Sequence, residues 1–175
     1  MAQLVKPDLA SIKLLVLDVD GVLTDGTVMV NHDGRESSSF STLDGHGIRL
    51  WKRAGLKIAF LSGRYSEAVE HRAKRVGADY VFQECHYKLP VLKDLLDQAK
   101  ISADQVACIG DDLPDLPMIR YVGFGAAVAG AVDEVKQYAD YITTRPGGNG
   151  AVREVIELIL KSGGKWEELM KRYLQ

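Results

Sequence analysis

Two aspartates with one residue between them, Asp18 and Asp20, follow the apolar run Leu14-Leu15-Val16-Leu17, and Gly21 comes directly after. In extended chain, side chains two apart project to the same side, and the glycine lets the backbone turn at once. Comparable groups stand after later apolar runs: Ser62-Gly63-Arg64 after Lys57 to Leu61, Lys88 after Tyr80 to Phe82, and Gly110-Asp111-Asp112 after Val106 to Ile109. Carboxylates gathered at one edge repel one another unless a cation joins them, and an oxygen-only ligand set suits Mg²⁺ better than zinc. Such a set could carry phosphoryl transfer. A carboxylate is ionised at neutral pH, so Asp18 could attack phosphorus without a base. Asp20 could protonate the leaving alkoxide and then activate water. The metal ion would bridge nucleophile and phosphoryl oxygen. The Ser62 hydroxyl, the N–H groups opening the next helix, and Lys88 would neutralise the remaining oxygens. Taken singly, Ser62 reads as a helix N-cap, Lys88 as a solvated lysine and Gly110-Asp111-Asp112 as a capped turn. Their arrival in order at successive strand ends favours one shared site.

The elements that must position these residues are legible in the apolar pattern. Continuous rather than alternating apolar runs at 14–17, 57–61, 80–82 and 106–109 predict strands covered on both faces, as in a parallel sheet. Helices are predicted over 45–54, 65–76 with a stop at Gly77, and 88–99, with shorter ones near 115–120 and 131–138. Val152, Val155, Ile156 and Ile159 follow the spacing of an amphipathic helix. Strands alternating with helices predict an α/β fold, a Rossmann-like open parallel sheet with helices on both faces, whose ligands bind at the carboxyl ends of the strands. One segment breaks the rhythm. Residues 27–42, with Asp33-Gly34 at the turn, read as a β-hairpin too small to form its own core, which must pack on the domain or on another subunit.

At 175 residues the chain suits one domain, 1–175, with the hairpin 27–42 as a flap and 163–175 as a C-terminal tail of helical spacing. A formal charge of −2 gives no reason to expect nucleic acid or an anionic membrane as partner. No apolar run near the start is long enough to span a membrane, and no small-residue cleavage site follows one. Cys85 and Cys108 are too few and too isolated for a disulfide framework or a zinc site, which fits a reducing cytoplasm.

The run Asp18-Val19-Asp20-Gly21-Val22-Leu23-Thr24, with Leu61-Ser62-Gly63-Arg64, Lys88 and Gly110-Asp111-Asp112-Leu113-Pro114-Asp115, resembles the four motifs of the haloacid dehalogenase-like (HAD) phosphohydrolases over roughly residues 12–160. The resemblance implies Asp18 as nucleophile and Asp20 as general acid and base. It also implies Mg²⁺ on Asp18, the Asp20 carbonyl and Asp111, with Ser62 and Lys88 on the phosphate. Asp112 and Asp115 would stand just behind the metal ligands, Asp115 within reach of a metal-bound water.

Members of that family usually select substrates with an inserted cap domain. Here 42 positions separate Asp20 from Ser62 and 26 separate Ser62 from Lys88, and the predicted elements consume both intervals. No cap fits, so a large substrate or a neighbouring subunit must cover the site. The stretches Leu43 to Arg49 and Arg145 to Val155 resemble the uncapped branch that hydrolyses 3-deoxy-D-manno-octulosonate (KDO) 8-phosphate for lipopolysaccharide synthesis. That likeness implies a cytoplasmic homotetramer whose neighbours close each site through the hairpin. It further implies substrate contacts from Asp20, a loop of Ser41, Thr42, Leu43, Asp44 and Gly45, then Arg49, Arg64, Arg72 and Lys88. Arginines suit a substrate bearing both carboxylate and phosphate. The other readings are a phosphatase for a nine-carbon sugar-acid 9-phosphate, and a non-catalytic phospho-acceptor or interaction module.

Overall fold

The computed structural model describes residues 7–175; residues 1–6, the start of the expected single domain, lie outside the described residues. Strand β1 (Leu14–Leu17) is followed by a small hairpin of β2 (Met29–Val30) and β3 (Glu36–Ser37), then α1 (Thr42–Arg53) and β4 (Lys57–Leu61). Next come α2 (Glu67–Val76), β5 (Tyr80–Phe82), α3 (Lys88–Ala99), β6 (Val106–Gly110) and the short α4 (Leu116–Ile119). The chain finishes with β7 (Phe124–Ala127), α5 (Asp133–Tyr138), β8 (Tyr141–Ile142), α6 (Ala151–Ser162) and α7 (Trp166–Met170).

Six strands form one sheet in the order β5-β4-β1-β6-β7-β8, every pair parallel. The chain therefore runs outward from β1 through β4 to β5, returns to the other side at β6, and runs outward again. β1 lies at the reversal, with Leu17 opposite Phe60 on one side and Ile109 on the other. That is the place where an open parallel sheet leaves a crevice at its carboxyl edge. All four β1 residues are fully buried, as the continuous apolar run requires. Helix α1 is fastened to β4 by the buried Trp51, whose indole N–H donates to the Lys57 carbonyl at 2.7 Å. α1 crosses α6 closely: a Cβ on Gly47 would stand 2.8 Å from Arg153 Cδ and 3.2 Å from its Cα.

The four predicted strands and the longer helices are present, with three differences. The sheet gains β7 and β8. Helix α1 begins at Thr42 rather than at 45, because Ser41 caps it by accepting from the Asp44 N–H at 3.3 Å. The expected loop Ser41 to Gly45 is thus an N-cap and a first helical turn. The hairpin pairs only Met29 with Ser37 and Val30 with Glu36, and it stands apart from the main sheet. Met29 and Val30 are 62% and 63% exposed, so nothing among the described residues covers its apolar arm. The tail folds back: the Tyr173 hydroxyl lies 2.6 Å from Arg53 Nη1, and the Trp166 ring receives Lys161 at 4.8 Å. Among the described residues no helix is long and apolar enough to cross a membrane, and both cysteines are free and buried.

Candidate active site

β1 ends where Asp18 begins, and the sheet hydrogen bonding continues one step further, Asp18 N–H donating to the Ile109 carbonyl at 3.1 Å. The backbone of the nucleophile candidate is therefore held by the neighbouring strand. Ser62 follows β4 and is held the same way, its N–H on the Phe82 carbonyl at 2.9 Å. Its hydroxyl oxygen accepts from Arg64 N–H at 3.1 Å, which leaves the hydroxyl hydrogen free to donate. Lys88 opens α3 and Asp111 follows β6. All four predicted strand-end groups thus sit along one edge of the sheet.

Lys88 is buried, and its ammonium donates to Asp18 Oδ1 at 2.6 Å and to Asp115 Oδ1 at 2.7 Å. The other Asp115 oxygen, Oδ2, accepts from Asp111 N–H at 3.0 Å, so Asp115 ties α3 to the loop after β6. Gly110 is required at that point, because a Cβ there would lie 2.4 Å from Asp115 Cβ. Carboxylate oxygens of Asp18, Asp111 and Asp115 come within 4.8 Å of one another. One ammonium against three carboxylates leaves an excess of negative charge in a buried place. Burial first, then the Asp115 carboxylate, pushes Asp18 well above the ordinary carboxylate range, with Lys88 pulling the other way. The same two causes push Asp111 up to about 6. Burial by itself loosens the hold of Lys88 on its proton, but Asp18 and Asp115 outweigh it and hold the ammonium more tightly than usual. A divalent cation on these oxygens would relieve the excess, and the all-oxygen donor set is that of Mg²⁺. The residues present fit such an ion. Asp20, expected to contribute its backbone carbonyl, adds no side chain to the trio, whereas Asp115 stands nearer the centre than the sequence suggested.

The turn after Asp20 is organised by Thr24, a residue of the first motif whose type alone implies no task in the chemistry. Its buried hydroxyl oxygen accepts from the N–H groups of Gly21 and Gly26, each at 3.2 Å. Gly21 has φ +82°, and a Cβ there would fall 2.0 Å from Asp111 Oδ2, so only glycine fits between the first and fourth motifs.

An open cleft of about 330 Å³ is lined by Asp18, Asp20, Arg64, Lys88, Asp111, Asp112 and Asp115, with Gly26, Gly63 and Pro114. Asp112 caps the turn Leu113–Asp115 and is exposed. Of the expected substrate contacts, Asp20, Arg64 and Lys88 line this cleft, and Ser41 to Gly45, Arg49 and Arg72 do not. The Arg64 guanidinium pairs with Glu36 of the hairpin. Arg72 donates to the Ser41 carbonyl at 2.7 Å and stacks on Phe40, while its Nε is buried with no partner among the described residues. Asp44 is fully buried, its two oxygens taken by the N–H groups of Gly150 and Arg153. Leu43 borders a separate cleft beside α6.

The model of the haloacid dehalogenase-like hydrolases matches residues 81–156. The 3-deoxy-D-manno-octulosonate 8-phosphate phosphatase KdsC of Escherichia coli K12 is 41% identical over 158 residues, which is 90% of this chain and 84% of that one. The structure of the phosphatase of the same name from Moraxella catarrhalis, in complex with a magnesium ion, a phosphate ion and a KDO molecule, matches with a TM-score of 0.93 at 40% identity, covering 95% of each chain. Its counterpart from Yersinia pestis matches with a TM-score of 0.90 at 39% identity over 91% of this chain and 86% of that one. Likeness of this depth along nearly all of both chains, joined to the strand-end carboxylates and buried lysine, shows that the chain belongs to the haloacid dehalogenase-like hydrolase family, as one of its phosphatases.

Proposed function

We propose that the chain hydrolyses 3-deoxy-D-manno-octulosonate 8-phosphate to KDO and inorganic phosphate, with Mg²⁺, in the cytoplasmic stage of lipopolysaccharide synthesis. The observation that carries this reading is the buried Asp18, oriented by Lys88 at 2.6 Å and flanked by Asp111 and Asp115 at the floor of an open cleft. The names of the relatives supply the substrate.

Asp18 attacks phosphorus, and its new O–P bond forms as the ester P–O bond breaks. Asp20, at the rim, gives its proton to the departing sugar alkoxide. The same carboxylate then takes a proton from water, whose oxygen attacks the acyl-phosphate and frees both Asp18 and phosphate. Lys88 and the Ser62 hydroxyl hold the phosphoryl oxygens throughout. Asp18, Asp111 and the Asp20 carbonyl would hold Mg²⁺, with Asp115 and Asp112 behind them; bound there, the ion screens the repulsion between the nucleophile and the phosphoryl oxygens.

The whole of 1–175 is one catalytic domain in this reading, with 27–42 as flap and 163–175 as tail. The leaving sugar acid meets Asp20 and Arg64 from its own chain. Arg49, Arg72, Ser41 to Leu43 and Gly45 reach it in an assembled homotetramer, built through the exposed arm of the hairpin, while the fully buried Asp44 stays behind them. An open cleft and uncovered Met29 and Val30 support that assembly. The test is phosphate release from KDO 8-phosphate and from a nine-carbon sugar-acid 9-phosphate, with and without Mg²⁺. We expect release that depends on Mg²⁺, favours the eight-carbon ester by about tenfold or more, and falls by more than about 10³-fold in Asp18→Asn. Preference for the nine-carbon ester would overturn the substrate, and full activity in Asp18→Asn would overturn the mechanism.

A further inference from the structure

Asp44 is a fully buried acid that phosphoryl transfer leaves without a task. Its Oδ2 accepts from Gly150 N–H at 3.0 Å and its Oδ1 from Arg153 N–H at 2.8 Å. These are orphan donors at the start of α6, whose own N-cap residue is Gly150, at φ 102°, with no side chain to supply. Asp44 therefore caps α6 from another helix.

The turn just before this helix presses on the nucleophile loop, backbone against backbone. Gly148 N–H donates to the Val22 carbonyl at 2.9 Å. A Cβ on Gly147 would lie 1.6 Å from the Gly21 carbonyl oxygen, and one on Gly148 would lie 2.5 Å from Asp25 N. Gly21 in turn leaves no room for a Cβ beside Asp111. A continuous packed path runs from Asp44 through the α6 start and the Pro146–Asn149 turn to the loop that carries Asp20.

We propose that Asp44 is a positioning residue for the nucleophile loop, acting by fixing the start of α6 against it, and not a contact for the sugar acid. The inference rests on the reading that Asp18 and Asp20 perform the chemistry. The experiment compares Asp44→Asn with the unaltered protein on two esters, an aryl phosphate that has no sugar-acid groups and KDO 8-phosphate, with melting temperature measured alongside. Asparagine keeps the size but turns an amide N–H toward a backbone N–H.

We expect kcat to fall by about tenfold or more on both esters by the same factor, with KM within about threefold, since small displacements of reacting groups cost rate rather than affinity. A rise in KM confined to the sugar-acid ester would make Asp44 a substrate contact and overturn the proposal. A lower melting temperature with kcat unchanged on both esters would make it a packing residue only, and would overturn it too. Gly147→Ala decides the matter if Asp44→Asn does not fold, because it leaves Asp44 and its two amides in place while pressing on the Gly21 carbonyl. The same paired loss of kcat is expected there, and unchanged kcat would break the path. Aryl phosphate turnover by the unaltered chain, lost in Asp18→Asn, tests the underlying reading separately.

Discussion

At the carboxyl ends of β1 and β6, Asp18 and Asp115 share one buried ammonium, and Asp115 also holds the backbone of Asp111. A little further along the chain the hairpin leaves two large apolar side chains in water, and its charged tie to the cleft is the half-exposed pair of Glu36 with Arg64. An exposed ion pair is worth at most about 1 kcal/mol, so it sets the hairpin's position only softly. In the proposed reaction the phosphate end is assembled within one chain, and the end that recognises the alcohol is left to neighbouring subunits.

The comparison can be broken most severely at Lys88. Lys88→Met leaves two buried carboxylates without their shared partner, and we expect a loss of about 3–5 kcal/mol in stability of the metal-free protein by denaturant unfolding. Removing the charge from the transferring phosphoryl group should also lower kcat by about 10²–10³-fold on any ester.

A smaller effect follows from Asp111, whose acid form persists up to about 6. Mg²⁺ binds the ionised carboxylate, so its affinity, read by calorimetry, should be level above pH 7 and fall by about tenfold per unit below pH 6. Linkage runs the opposite way without metal. A carboxyl whose native pKa is raised from 3.8 to about 6 gives stability that is fully present below 3.8 and lost as pH rises through about 6. Melting temperature in EDTA should therefore fall over that interval, and saturating Mg²⁺ should remove the fall. The gentlest change is to the hairpin. Met29→Ser with Val30→Ser should lower the mass seen by light scattering and raise KM for the sugar-acid ester several-fold. It should leave kcat on an aryl phosphate within about twofold. Unchanged mass would mean that the hairpin does not join the subunits.

How far the sequence could be read follows the same division. β1, β4, β5 and β6 are visible because each is an unbroken apolar run, and the chemistry is visible because it sits at their ends. β7 is not. Phe124-Gly125-Ala126-Ala127 carries small residues where the chain passes close to α4, a Cβ on Gly125 meeting the Ile119 carbonyl oxygen at 2.6 Å. Small residues make no hydrophobic signal even when wholly buried. β8 is two residues at a sheet edge, too short for any period. The start of α1 is obscured by Gly45 and Gly47, which read as loop formers. They are there because Arg72 and Arg153 approach too closely for a side chain. Asp44 belongs with partners 106 and 109 positions away, a pairing that local pattern cannot contain. The inward turn of the Asp115 carboxylate is hidden too, because spacing after Gly110 says nothing of the tight turn at Leu113–Asp115.

The position of β1 between β4 and β6 also governs how the molecule comes apart. Its amides are released to solvent only when the middle of the sheet opens, which for a strand so enclosed means opening of the whole domain. Hydrogen exchange should accordingly be slowest at Leu15 to Leu17, directly before the acid Asp18. Fraying at β8, the tail or the hairpin can come and go many times in the life of one folded molecule without disturbing that acid.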